Sequence, residues 1–262
     1  MKMKIFLIID EFPFFLPDYL DKVIEKVATG YEIIGITPLI NPKGKPTFSS
    51  YLINQLPKLG LRVCIQLFLK ASRIEILSVL FQLKLSSRPQ HISQVARKYG
   101  ISIYKSKNVN DSTYLDILDS LQPDIIISSC SQIFKKRLLQ LPQTACINRH
   151  SGLLPSYGGL FPVFQAMIHD EEYAGVTIHT MVEEIDKGKI ISQIKIPITK
   201  WDTLFSLYEK SYHESITATI EALNKLERKN PHFIKPFHKS SYFSFPTSSD
   251  WEKFWKKKKR VI

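Results

Sequence analysis

CINRHSGLLPSYGGLFPVFQAMIHDEEYAGVTIHTMVEEIDKGKI, residues Cys146 to Ile190, is the stretch on which the reading of this chain turns. Ala145–Arg149 has the make-up of a short strand, and Asn148 and His150 fall at its C-terminal end, two apart and so on one face of an extended chain. A Leu153-Leu154-Pro155 stop follows. Two further strands, Gly175–Thr180 and Lys189–Ile196, flank a loop carrying Asp186, which lies 38 positions after Asn148 (186 − 148 = 38). An amide donor and an imidazole can stabilise the oxyanion of a tetrahedral intermediate, and a carboxylate can orient and charge that imidazole. Each piece alone has a plainer reading: a turn-forming Asn at a strand end, an Asp-Lys-Gly turn, or Leu-Leu-Pro as packing. Together, in this order, they point to catalysis.

Outward from that segment the pattern is regular. Upstream, apolar β-branched runs at Ile5–Ile9, Glu32–Thr37, Ile101–Tyr104 and Asp124–Ser128 alternate with helical stretches at Pro17–Ala28, Asp111–Leu121 and Ser131–Leu141. Downstream, a longer helix covers about Trp201–Leu226. This rhythm predicts an α/β fold with a mostly parallel sheet and right-handed crossovers. Asn148 and His150 then lie where open α/β sheets place their ligands.

The segment resembles the catalytic core of the folate-dependent formyltransferase family, which includes glycinamide ribonucleotide, methionyl-tRNA and nucleotide-amino-sugar formyltransferases. The family pattern is Asn-x-His-x-Ser-Leu-Leu-Pro-x-Tyr-x-Gly, then a Gly-Val-Thr strand, then an Asp-x-Gly loop. This chain supplies Asn148, His150, Leu153, Leu154, Pro155, Tyr157 and Gly159, then Gly175-Val176-Thr177, then Asp186 and Gly188. Ser151-Gly152 departs from the pattern by moving a hydroxyl one place. The likeness is close over Cys146–Ile190 and extends in outline from about residue 100 to 225.

The resemblance implies a Rossmann-like formyltransferase domain over residues 1–228, with a helical insertion at about 66–94 and a short basic, aromatic appendage at 229–262. It implies 10-formyltetrahydrofolate as the formyl donor and no metal. Asn148 and a protonated His150 would stabilise the oxyanion, and Asp186 would keep His150 charged. The backbone at Ser131, Gln132 and Ile133 would form one wall of the folate pocket, and the loop from Glu183 to Gly188 another. Of the remaining histidines, His91, His169, His213, His232 and His238 are read as having no catalytic part. His179 is the closest case: a buried structural role and a place facing the site fit its strand position equally.

Which amine accepts the formyl group follows by exclusion within the resemblance. Glycinamide ribonucleotide enzymes carry a Gly/Ser-rich phosphate loop after the first strand, whereas this chain has DEFPFFLPDYL there. Methionyl-tRNA enzymes add a basic C-terminal domain larger than the segment left after the closing helix here. Formyltetrahydrofolate hydrolases carry a regulatory domain ahead of a similar triad. The expectation is transfer to a small amine, a nucleotide-linked amino sugar. The alternatives are a methionyl-tRNA formyltransferase-like enzyme and a non-catalytic, formyltransferase-like binding protein acting through its basic tail.

Composition bounds the rest. A chain of 262 residues, 44% hydrophobic and 11% aromatic, can bury a full core. Cys64, Cys130 and Cys146 lack metal spacing and read as small buried hydrophobes. MKMKIFLIIDEF reads as a first strand rather than a signal peptide, and no uncharged apolar run is long enough to span a bilayer; a cytoplasmic location is expected. The net charge is +12, and WEKFWKKKKRVI at the end holds six Lys/Arg against one Glu. A solvated or docked tail is the plain reading, and contact with nucleic acid or a membrane surface the functional one. Gln66–Gln94 is apolar over more of its circumference than a surface helix needs. Packing on the domain is the default there, with homodimer contact or attachment to anionic lipid as alternatives.

Overall fold

The computed structural model describes residues 2–12, 14–39, 57–228, 231–236 and 239–262; Pro13, His238 and the domain boundary expected at 229 lie outside them. A six-stranded sheet runs through the molecule, built from β1 (Met3–Asp10), β2 (Tyr31–Leu39), β3 (Ile125–Ser129), β4 (Ala145–His150), β6 (Tyr173–Thr180) and β7 (Ile190–Pro197). Their order is β2-β1-β3-β4-β6-β7. The first four strands are parallel and the last two pairings antiparallel. A two-stranded ribbon joins β5 (Gly158–Gly159) to β8 (Tyr242–Phe243).

Alternation along the strands sorts side chains onto two faces. Ile5, Leu7 and Ile9 of β1 and Ile147 of β4 share one apolar cluster with α1 (Leu16–Val27), α3 (Ile92–Lys98) and α7 (Leu204–Leu226). Phe6, Ile8 and Cys146 point the other way, onto α4 (Ser112–Leu121) and α5 (Lys136–Leu139). Asn148 and His150 share the parity of Cys146, so they lie on the face away from α7. A third cluster joins α2 (Leu61–Gln82), α6 (Pro162–Ile168), α7 and α8 (Ser248–Lys256), with Trp251 and Phe254 of α8 buried at 5% and 0% exposure. The helices start where capping predicts: Asp111 accepts from the Tyr114 amide ahead of α4, and Thr203 with Ser206 forms a capping box for α7.

Three sequence expectations are corrected. Ile101–Tyr104 makes a single bridge, Ile36 to Ile103, rather than a strand. Tyr104 turns its ring in against Phe6 at 5.6 Å, over Gly35, where an added Cβ would lie 2.6 Å from both rings. The helix expected over Ser131–Leu141 shrinks to Lys136–Leu139, because the segment before it is tied to the loop 107–110 instead of to its own backbone. Asn110 bonds the Ile133 carbonyl and the Lys135 amide, and Gln132 bonds the Val109 amide and the Lys107 carbonyl. The helical insertion read at 66–94 is a helix from Leu61 to Gln82, after which the chain turns at Lys84 (φ 59°) before a separate helix starts at Ile92.

Candidate active site

β4 and β6 are antiparallel, with Asn148 opposite His179 and His150 opposite Thr177. Thr177 fixes the start of the Leu-Leu-Pro loop: its hydroxyl donates to the Gly152 carbonyl at 2.6 Å and accepts from the Leu154 amide and from Gln193. After β6 the chain turns so that Asp186, at φ 57°, brings its carboxylate between two imidazoles. Oδ2 lies 3.7 Å from His150 Nδ1 and Oδ1 lies 3.6 Å from His179 Nε2. Oδ2 also accepts the Gly159 amide at 2.7 Å. Gly188 closes the turn against Thr180, where a Cβ would stand 1.5 Å from the carbonyl oxygen, so no side chain fits.

The hydrogen bonds assign the tautomers. His150 Nε2 donates to the Tyr157 carbonyl at 2.8 Å, which leaves the Nδ1 lone pair facing Asp186. His179 Nδ1 donates to the Thr180 carbonyl at 2.8 Å, so its Nε2 accepts from the Asn148 amide nitrogen at 3.3 Å. His179 thereby fixes which end of Asn148 is the donor and leaves its second N–H for another acceptor. Burial holds His150 below its ordinary value, with Arg149 acting in the same direction, against Asp186 and the Tyr157 carbonyl. Burial pushes His179 down to about 4, with Asp186 opposing and His150 reinforcing the shift. Burial thus favours the neutral form of both imidazoles, against the charge that Asp186 would lend His150.

The far end of the chain holds this site in place. Gly158 and Gly159 pair with Tyr242 and Phe243, and Ser241 accepts the Tyr157 amide on its hydroxyl at 2.8 Å and the Gly158 amide on its carbonyl at 3.0 Å. The Tyr157 and Phe243 rings stack at 5.6 Å. Gly159 sits at φ 88° with the Phe243 carbonyl where a Cβ would be, so the close approach requires glycine.

A family model described as "Formyl transferase" matches residues 69–223, more than half of the chain. The chain belongs to the formyl transferase family. The methionyl-tRNA formyltransferase of Macrococcus caseolyticus is 35% identical over 123 residues, which is 47% of this chain and 40% of that relative. The chain spans less than half the length of the curated relatives it matches. In fold it is similar to the phosphoribosylglycinamide formyltransferase of Anaplasma phagocytophilum, with a TM-score of 0.62 at 14% identity over 94% of this chain and 100% of the other. It is also similar to an N-formyltransferase from Helicobacter canadensis in complex with folinic acid and dTDP-3-aminofucose, with a TM-score of 0.57 at 16% identity over 94% and 71% of the two chains.

The structure brings Asn148, His150 and Asp186 into one cluster with His179. The register that sets His179 opposite Asn148 is a property of the pairing, and the one sequence signal for it was its place on the strand after Gly175. Ser131 and Ile133 are exposed and Gln132 is spent on its neighbours' backbone, so that segment presents a fixed loop after β3. Glu183 is exposed on the loop before Asp186, beside Val182 and Ile185, which are 42% and 44% exposed. Among the described residues no group of His, Cys, Asp or Glu is placed to hold a metal ion.

Proposed function

We propose that this formyl transferase family member moves a formyl group from 10-formyltetrahydrofolate to the amine of a small acceptor, a nucleotide-linked amino sugar. The observation that carries the reading is the Asp186 carboxylate set between two buried imidazoles, one of which lies against the Asn148 amide. In this reading the neutral amine attacks the formyl carbon, a C–N bond forms, and the carbonyl electrons move onto oxygen. The second N–H of Asn148 donates to that oxyanion. The proton of the attacking nitrogen passes to His150 Nδ1, and Asp186, 3.7 Å away, stabilises the imidazolium as it appears. On collapse the bond from carbon to N10 of tetrahydrofolate breaks and His150 returns the proton to N10. The loop 131–133 and the loop from Glu183 to Gly188 would wall the pterin, with Val182 and Ile185 offering it apolar surface.

Two observations favour the acceptor assigned. Where a ribonucleotide phosphate would need a glycine cradle, between β1 and α1, Glu11 accepts the Ile92 amide at 2.8 Å and Phe15 stacks on Tyr212 at 5.2 Å. A member of the same fold was solved with folinic acid and dTDP-3-aminofucose. The sequence relatives favour a second reading, with methionyl-tRNA as acceptor.

A thermal-shift titration with a hydrolysis-stable formylfolate analogue tests the donor. At about a hundredfold over its dissociation constant the analogue stabilises the fold by ~2.7 kcal/mol, and the gain shrinks in Asp186→Ala. No shift in well-folded native protein defeats the folate reading. Formyl transfer to dTDP-amino sugars, and none to methionyl-tRNA, is the expected result of an acceptor panel; the reverse pattern establishes the second reading.

A further inference from the structure

Helix α2 buries one face and leaves the opposite one open. Leu59, Val63, Cys64 and Leu67 pack with Trp251, Phe254 and Val261, and Ser78 is covered by Gln94, which donates to its carbonyl and hydroxyl. On the other side Ile65, Phe68, Leu69, Ile76, Val79 and Leu83 are 48–63% exposed. At about 100° per residue these six fall within an arc of roughly 100°, an apolar stripe along the helix and its C-cap that is broken once, at Ser72. A stripe of this size on a folded domain marks an interaction surface.

The charges around the stripe say what it meets. Between Pro57 and Arg88 there are six basic residues and one acid, Glu75, whose carboxylate lies 3.6 Å from His91 Nε2; Arg88 is paired with Asp18 and Lys70 lies over the Phe205 ring, which leaves Lys58, Arg62, Arg73 and Lys84 to set the charge near the stripe. Arg62 and Arg73 border the stripe by helical position. The basic C-terminal segment is fastened to the start of the same helix: the Trp255 indole donates to the Lys58 carbonyl at 3.0 Å, and Lys256 and Lys258 beyond it are exposed. Arg260 donates to the carbonyl of Trp201, whose side chain is 73% exposed and of the kind that settles at a lipid–water boundary. A second copy of the chain would bring identical basic rims together on a protein of net charge +12. None of the described helices is long and apolar enough to cross a membrane.

We propose that α2 and the basic segment after α8 form one docking surface for an anionic bilayer, with the apolar stripe entering the headgroup region and the lysines facing lipid phosphates. This surface is independent of the formyl-transfer site, since its residues lie outside the cluster around Asp186. Vesicle co-sedimentation tests it, with phosphatidylcholine alone and with equal parts phosphatidylcholine and phosphatidylglycerol. The full chain is expected to partition at least about tenfold more strongly onto the anionic vesicles. Phe68→Gln/Ile76→Gln/Val79→Gln and, separately, Lys256→Glu/Lys258→Glu should each lose about tenfold while keeping the native melting temperature, because these side chains are exposed. Equal partitioning of native and triple-variant protein overturns the proposal. So does a concentration-dependent dimer that the triple variant abolishes, or retention by soluble polyuridylate with no vesicle binding.

Discussion

Strand β4 buries strongly polar side chains on both of its faces, and it holds them in opposite ways. Toward α7, Arg149 is caged: Nε donates to Ser215 at 2.8 Å, Nη2 donates to the hydroxyls of Ser151 and Ser211, and the guanidinium lies 3.6 Å from the centre of the Tyr212 ring. On the other face, Asp186 stands 3.7 and 3.6 Å from its two imidazoles, just outside hydrogen-bond reach. The difference is less than an ångström per contact and separates two jobs. A closed cage of hydroxyls and an aromatic ring fixes a permanent charge and stiffens the sheet–helix contact. Asp186, held by the Gly159 amide, has no bond to make to the His150 lone pair until a proton arrives there, and then makes a charge-assisted one. Slack on one side and closure on the other mark where a proton is expected to move.

Replacing Asp186 with Asn attacks the slack side and should have the largest effect. Turnover on an identified acceptor is expected to fall at least about a hundredfold, or ~2.7 kcal/mol of barrier, with the melting temperature nearly unchanged. Near-native turnover would erase the distinction between the two faces. Arg149→Leu attacks the cage. It should cost about 2 kcal/mol in a denaturant melt, since three buried hydroxyls lose a charged partner, while the stabilisation by formylfolate analogue persists. If the analogue's stabilisation disappears with the cage, the two faces are not separable.

Acidification sharpens the contrast without mutation. His150 and His179 both sit below the usual 6.5, His179 at about 4, so across that window the unfolded chain binds more protons than the folded one. Stability should therefore be full above pH 6.5 and fall as pH drops toward 4, by at most about 1.4 kcal/mol per pH unit for each imidazole. Melts of His179→Leu should show a shallower fall; an unchanged slope would remove His179 from the linkage. The smallest expected effect is that of Ser241→Ala, which frees the Tyr157 amide and should cost about 1 kcal/mol. Its informative readout is the analogue's thermal shift, which weakens only if the ribbon holds the site.

Asn148, His150 and Asp186 are named by their order and spacing in the chain, and the fold brings the three side chains together; most strands could be read because Ile and Val cluster in short runs. His179 could not be assigned, since its role depends on the antiparallel register of β4 and β6 and not on any neighbour in sequence. The charge on His150 depends on burial in the same way: the Asp186 carboxylate that favours it is visible in sequence, and the burial that opposes it is not. The helix expected from Ser131 was lost to long-range bonds: the Asn110 side chain takes the Ile133 carbonyl and the Lys135 amide, and the Gln132 side chain donates to the Lys107 carbonyl. Helix α2 shows the limit of periodicity, because apolar residues all round it do not reveal which face the protein covers.

The ribbon between Gly158–Gly159 and Tyr242–Phe243 also sets an order of events during synthesis. A nascent chain that has emerged through Leu226 already contains Asn148, His150, His179 and Asp186, yet lacks the partner strand that pins the amide donated by Gly159 to Asp186. The ribosome must add 17 residues beyond α7 (243 − 226 = 17) before that loop can be tied down. The chemistry is written ahead of α7, and its last fastening arrives only after that helix has been made.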